Sequence, residues 1–368
     1  MSSIRGTSNK LSCGIQNLLS ASTKVEEELC RPHPQAFNQL CVIVISSKVF
    51  TSKPRQTMGG QAQGPFDLAH FTKGALAGGI CCSITHGALC PVDVVKTRIQ
   101  LEPAKYNKGM IDGFKQVIKN EGVGALATGL GPTAVGYFVQ GWFKFGGVEF
   151  FKIKASEALG VEKAWENRLP IYLGAAAVAE FIADVFLCPL EATRIRLVSD
   201  PAYASGLMTA FPKIIKQDGV IKGFYSGFAP ILLKQIPYTM AKFAVQGVAA
   251  EKITAMIGKK QEELSKGSKM GIALSSGVIA GVAAAIISHP ADTLLSLVNK
   301  EGAGGNGSIG SRLLNLAREA GPSKLFLTGL GPRCVMIGSL TAGQFAIFDS
   351  VMSFTGASKF HFVDPSKQ

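Results

Sequence analysis

Three times along this chain a proline is followed two residues later by an acid, inside a long apolar stretch. The segments are Pro91-Val92-Asp93-Val94-Val95-Lys96-Thr97-Arg98, Pro189-Leu190-Glu191-Ala192-Thr193-Arg194-Ile195-Arg196 and Pro290-Ala291-Asp292-Thr293-Leu294-Leu295-Ser296-Leu297. The prolines stand 98 and 101 positions apart. A second landmark follows each: Gly129-Leu130-Gly131-Pro132, Gly227-Phe228-Ala229-Pro230 and Gly329-Leu330-Gly331-Pro332, offset by 38, 38 and 39 residues. Between them lies an acid-glycine signal, Glu121-Gly122 and Asp218-Gly219, loosened in the third copy to Glu319-Ala320-Gly321. Three landmarks in register mean three copies of one supersecondary unit.

Each unit reads as long helix, short helix, long helix. The long helices fall at 70–100 and 129–159, then 168–199 and 227–257, then 270–299 and 329–355. Each exceeds the roughly 20 residues needed to cross a bilayer. Small residues recur at four-residue spacing, as at Gly74 and Gly78 or Gly277 and Gly281, which lets helix backbones approach. The short helices, near 111–120, 206–217 and 309–319, carry mixed charge and read as interfacial. The whole is therefore an all-α membrane protein: six transmembrane helices in three tandem repeats with pseudo-threefold symmetry. The repeats occupy 66–160, 161–258 and 259–356, with a tail at 357–368. Composition agrees, with 47% hydrophobic and 17% charged residues among 368, 42 of them glycine, and a mean hydropathy of +0.25.

Residues 1–65 differ. They are Ser-rich, and Arg5, Lys10 and Lys24 precede the first acid, Glu26. This resembles a transit peptide. The apolar run 40–45 is too short to span, and Met58 offers an alternative start. The net charge of +13 belongs to lipid headgroups or to an anion's path rather than to nucleic acid. The eight cysteines form no C-x-x-C pair, so neither a zinc site nor a disulfide framework is indicated. Cys90, Cys188 and His289 precede the three prolines, a weak pattern for a soft metal; apolar filler is the plainer reading. No catalytic motif points to an enzyme, and no cofactor is implied.

The motif P-x-[DE]-x-x-[KR]-x-[KR], three times at this spacing, resembles the mitochondrial carrier family over nearly all of 66–355. The resemblance implies ion pairs between repeats that close the matrix side: Asp93 with Arg194 and Asp292 with Lys96. Glu191 would face Leu295 and lack a partner. A second family motif, [FY]-[DE]-x-x-[KR], closes the cytoplasmic side. Its acid position holds Glu149, Gly247 and Asp349, and its basic position Lys152, Ala250 and Met352, which leaves Asp349 with Lys152. Further strings, such as Thr85-His86-Gly87-Ala88-Leu89, Ala179-Glu180-Phe181-Ile182-Ala183-Asp184 and Lys234-Gln235-Ile236-Pro237-Tyr238-Thr239, are similar to the phosphate-transporting branch of that family. That branch shares the missing basic residues of the third copy and couples transport to a proton.

Where the copies disagree, an asymmetric substrate should be read. Lys144, Lys242 and Gln344 occupy equivalent mid-membrane positions and form a plausible anion cradle, with Gln140, Lys234 and Gln235 nearby on the same helices. Lysine offers a compact charge with three donors. His86, Glu180, Asp184 and Glu191 form the second constellation, able to take up and release a proton near neutrality. The resulting expectation is a monomeric inner-membrane importer of inorganic phosphate with a proton, or in exchange for hydroxide, in contact with lipids such as cardiolipin. Carriage of another small anion or of copper, and a carrier-like scaffold or pore component without transport, stand as alternatives.

Overall fold

The computed structural model describes residues 66–101, 105–106, 109–200, 202–258, 263–298, 309–327, 329–362 and 364–365. The leader, including Met58, lies outside the described residues. Repeat one holds α1 (Leu68–Leu101), α2 (Met110–Glu121) and α3 (Leu130–Leu159). A short α4 (Val161–Glu166) leads to repeat two, with α5 (Arg168–Ser199), α6 (Leu207–Asp218), α7 (Val220–Tyr225) and α8 (Phe228–Ile257). Repeat three holds α9 (Lys266–Val298), α10 (Ile309–Leu327) and α11 (Leu330–Phe354). Helices α1, α5 and α9 each run unbroken through their prolines, Pro91, Pro189 and Pro290.

Each long helix packs on the next long helix in chain order, and α11 returns to α1, so six helices close a ring. The ring is inverted in polarity relative to a soluble protein. Its outside carries Phe181, Phe186, Ile287 and Val335, all exposed. Its inside buries Gln140, Lys144, Glu180, Asp184, Lys242 and Gln344. Apolar side chains facing lipid and polar ones facing each other is the arrangement a hydrocarbon solvent enforces. Close approach within the first repeat depends on paired glycines: a Cβ on Gly78 would lie 2.3 Å from the Gly141 carbonyl oxygen.

Among the described residues, four segments have enough apolar length to span a membrane alone, with mean hydropathies from 1.4 to 2.1. Helices α3 and α8 are also 30 residues long but more charged, and their Lys144, Glu149, Lys152 and Lys242 are buried in the ring. Packing rather than hydropathy makes them part of the six. Between α2 and the segment Val123–Leu159 the chain turns by 117°, which carries the short helix out of line with α3.

The acid-glycine signal ends the short helices. Gly122, Gly219 and Gly321 adopt φ of 84°, 76° and 71°, a region a Cβ disfavours. The acids beside the first two hold the last basic residue of the proline motif: Arg98 to Glu121 at 2.9 Å and Arg196 to Asp218 at 2.7 Å. In the third copy the break at Gly321 falls two residues after the acid, Glu319, rather than one.

Candidate functional site

A cavity of about 320 Å³ runs from mid-bundle to the end where the prolines lie. His86, Gln140, Lys144, Lys242 and Gln344 line its inner part; Asp93, Lys96, Arg194, Asp292 and Arg333 line its mouth. Its blind end is aromatic. Phe145 lies 4.9 Å from Phe243, 5.7 Å from Phe345 and 5.0 Å from Phe348, ring centre to ring centre, and all four are buried.

The two mid-depth lysines occupy equivalent positions with different surroundings. Lys144 stands 2.9 Å from Glu180. Gln140 donates to Glu180 at 3.1 Å and to Asp184 at 3.2 Å. Lys242 donates to the Gln344 side-chain carbonyl and sits over the rings of Phe145 (4.9 Å), Phe345 (5.5 Å), Phe243 (5.6 Å) and Tyr238 (5.9 Å). Among the described residues Lys242 makes no ion pair, although it is 1% exposed. Aromatic faces and an amide oxygen stabilise an ammonium but leave its unit charge uncompensated. A cation in that position, at a cavity wall, favours an anion.

The acid cluster differs in detail from the expectation. Glu180 and Asp184 share Gln140. His86 stacks on Tyr137, ring centres 3.6 Å apart at 4°, and among the described residues no hydrogen bond joins it to either acid. Tyr137 fixes the imidazole on the cavity wall; repeats two and three have Gln235 and Ile337 at its position.

At the cavity mouth Arg194 lies 2.9 Å from Asp93 and 2.8 Å from Glu191. Glu191, expected to lack a partner, therefore has one: residues three apart on a helix are neighbours, and the guanidinium fork reaches two carboxylates. Asp292 does not take Lys96 as its ion-pair partner. Lys234 stands 3.1 Å from it, and Arg333 pairs with it and donates to Ser288 at 3.0 Å. Lys234 accordingly leaves the expected cradle. Eight residues separate it from Lys242, about 12 Å along a helix, which places it at the mouth. Gln235 remains a cavity wall. The sequence reading missed Arg333, and a signal was there: the equivalent positions hold Thr133 and Ile231, so only the copy that lacks the motif cations has one here.

At the opposite end Lys152 pairs with Glu149 on its own helix at 2.7 Å, not with Asp349. The i,i+3 partner needs no reach across the ring. Asp349 Oδ1 is buried and, among the described residues, accepts no hydrogen bond. Near the prolines two thiols bond to backbone carbonyls: Cys188 donates to that of Phe224 at 3.0 Å and Cys90 to that of Thr128 at 3.7 Å.

A closed ring of six helices, apolar outside and charged within, around a cavity stopped at one end by aromatics packed largely edge to face, defines a membrane carrier. The chain belongs to the mitochondrial carrier family, whose description, mitochondrial carrier protein, matches residues 67–158, 166–256 and 266–359. It is 51% identical over 289 residues to mitochondrial substrate carrier family protein N of Dictyostelium discoideum, covering 78% of this chain and 95% of that one. It is 43% identical over 278 residues to the mitochondrial phosphate carrier protein of Caenorhabditis elegans, covering 75% and 79%. Mitochondrial phosphate carrier protein 2 of Arabidopsis thaliana is 40% identical over 296 residues, covering 79% and 78%.

Proposed function

We propose that this chain carries inorganic phosphate across the inner mitochondrial membrane into the matrix, together with a proton, by alternating access. One observation carries the substrate class: Lys242, buried at the cavity wall with no carboxylate paired to it among the described residues. The phosphate named in the relatives from Caenorhabditis elegans and Arabidopsis thaliana supports the choice among anions. Phosphate binds Lys242, with Gln344, Gln140 and Lys144 within the same inner wall.

The proton is carried by the acid cluster. Glu180 and Asp184 are both buried, and one ammonium, Lys144, faces the two of them. Two dry carboxylates against one cation are a charge short of neutral, and a proton is the smallest counter-ion that fits. Phosphate drawn to Lys144 weakens its hold on Glu180 and so favours proton uptake by the pair. His86, on the same wall, relays it to the mouth. Asp93, Glu191, Arg194 and Asp292 with Lys234 and Arg333 form the matrix gate; Glu149, Lys152 and Asp349 belong to the cytoplasmic gate. The path lies inside one chain, so a monomer is the working unit, with lipid headgroups, cardiolipin among them, around its short helices.

Uptake of labelled phosphate into liposomes holding the purified chain, with and without a pH gradient that is acid outside, tests this. Uptake should rise with the gradient and vanish in Lys242→Ala. Uptake in Lys242→Ala equal to the parent removes the anion site; uptake indifferent to the gradient removes the proton.

A further inference from the structure

The family pattern leaves the end of the ring opposite the prolines short of parts. Gly247 stands where an acid is expected, and Ala250 and Met352 stand where cations are. Lys152 is occupied by Glu149, which among the described residues leaves Asp349, its Oδ1 buried, without an ion-pair partner from the repeats. The chain beyond α11 comes back over this end. Lys359 donates to Gln246 of α8 at 2.6 Å and sits 4.9 Å over Phe345 of α11. The Phe360 amide donates to Glu149 of α3 at 3.0 Å, and its ring packs 5.8 Å from Phe66 at the entrance to α1. Phe362, 7% exposed, packs 5.2 Å from Tyr172 of α5. Lys152 lies over both tail-facing rings, 5.3 Å from Tyr172 and 5.7 Å from Phe360. Three residues of the tail thus touch five of the six long helices or their entrances.

The absent acid fits this arrangement. A Cβ on Gly247 would lie 2.3 Å from Tyr172 Cζ, so the glycine is the space into which Tyr172 turns its ring to meet Phe362. Burial pushes the Lys359 ammonium down, and the neighbouring Asp349 charge opposes that most strongly.

We propose that the C-terminal tail is an integral part of the lock at this end of the carrier. Lys359 supplies the cation that Ala250 and Met352 do not, Phe360 caps Glu149, and Phe362 fills the space beside Tyr172. The end opens only when the tail withdraws. This rests on the carrier reading, and the test separates the two.

In full-length protein with Cys82 as its sole cysteine, reconstituted in liposomes, a membrane-impermeant maleimide is applied from the tail side. Cys82 lies behind the aromatic layer and is 1% exposed. Its labelling should quicken about tenfold in Lys359→Ala and more in a chain ending at Ala357, while Lys359→Arg restores the parent rate. Equal labelling in all four overturns the tail's role. Phosphate exchange measured on the same liposomes reports the carrier reading by itself: labelling that responds to the tail in a chain that never exchanges phosphate keeps the lock and discards the substrate. If the single-cysteine chain does not fold, thermal unfolding in the natural background decides. Lys359→Ala should melt below the parent and Lys359→Arg near it; identical melting of the three overturns the proposal.

Discussion

The two ends of the ring solve the same shortage differently. At the proline end the third repeat lacks both motif cations, and the deficit is met sideways, by Lys234 from α8 and Arg333 from α11. At the other end the repeats offer one cation for two acids, and the chain's own tail comes back over the gap. The proline end is wetter: Asp93 and Lys234 side chains are 31% and 41% exposed. The tail end is dry, with Glu149 and Lys152 buried behind phenylalanines. Ion pairs in water contribute little and exchange partners readily; dry ones hold fast and cost more to break. The structure is thus shut at the tail end and poised at the proline end.

Removing cations along this axis should show the gradient. The largest effect is expected between the ends. Lys144→Ala strands Glu180 and Asp184 in a dry wall, and thermal unfolding should report a loss of about 3 kcal/mol; loss of exchange without loss of stability would refute that account. Next comes Arg194→Ala, which frees Asp93 and Glu191 together but lets water reach them, at about 2 kcal/mol. An unchanged melting temperature there would mean that the wet end carries no strength at all.

Gly247→Val tests the dry end through packing rather than charge. The added carbons collide with Tyr172, and overpacking of this kind costs about 2 kcal/mol. Tyr172→Ala in the same chain should recover part of it. Lys234→Ala should be milder, below about 1 kcal/mol, because its side chain is exposed and Arg333 still holds Asp292. A larger loss would make the wet end as rigid as the dry one.

The smallest effect concerns pH. Burial, with Lys359, Lys152 and Lys269 nearby, pushes the His361 imidazole down to about 3. A released tail regains a value near 6.5. Docking is therefore at full strength above pH 6.5 and weakens as pH falls below it. From pH 7.5 to 5.5 the loss is at most about tenfold, and less because His361 is only partly buried. Maleimide labelling of Cys82 at the two pH values reads it, and His361→Gln should flatten the change.

Much of this was legible in the chain. Repeat spacing located every long helix to within a few residues, because proline, glycine and acid each mark a fixed point of local geometry. The same register singled out Lys144, Lys242 and Gln344, and comparing copies at the Arg333 position would have exposed that residue as well. Pairing was less legible. The family pattern assigns Lys96 to Asp292 and Lys152 to Asp349, whereas Lys152 takes the acid one turn away and Asp292 takes cations from helices outside the motif.

The sequence by itself determined the inventory: six long helices, three copies, and a set of charges too costly to leave in lipid. Its period is local and repeats with the backbone, so it can be read without coordinates. Only the tertiary structure decided which charge meets which, that Lys144 takes an ion-pair partner while among the described residues its equivalent Lys242 does not, and that the tail beyond α11 comes back over one end. Those outcomes depend on a few ångströms between side chains of different helices, and no spacing along the chain records that distance.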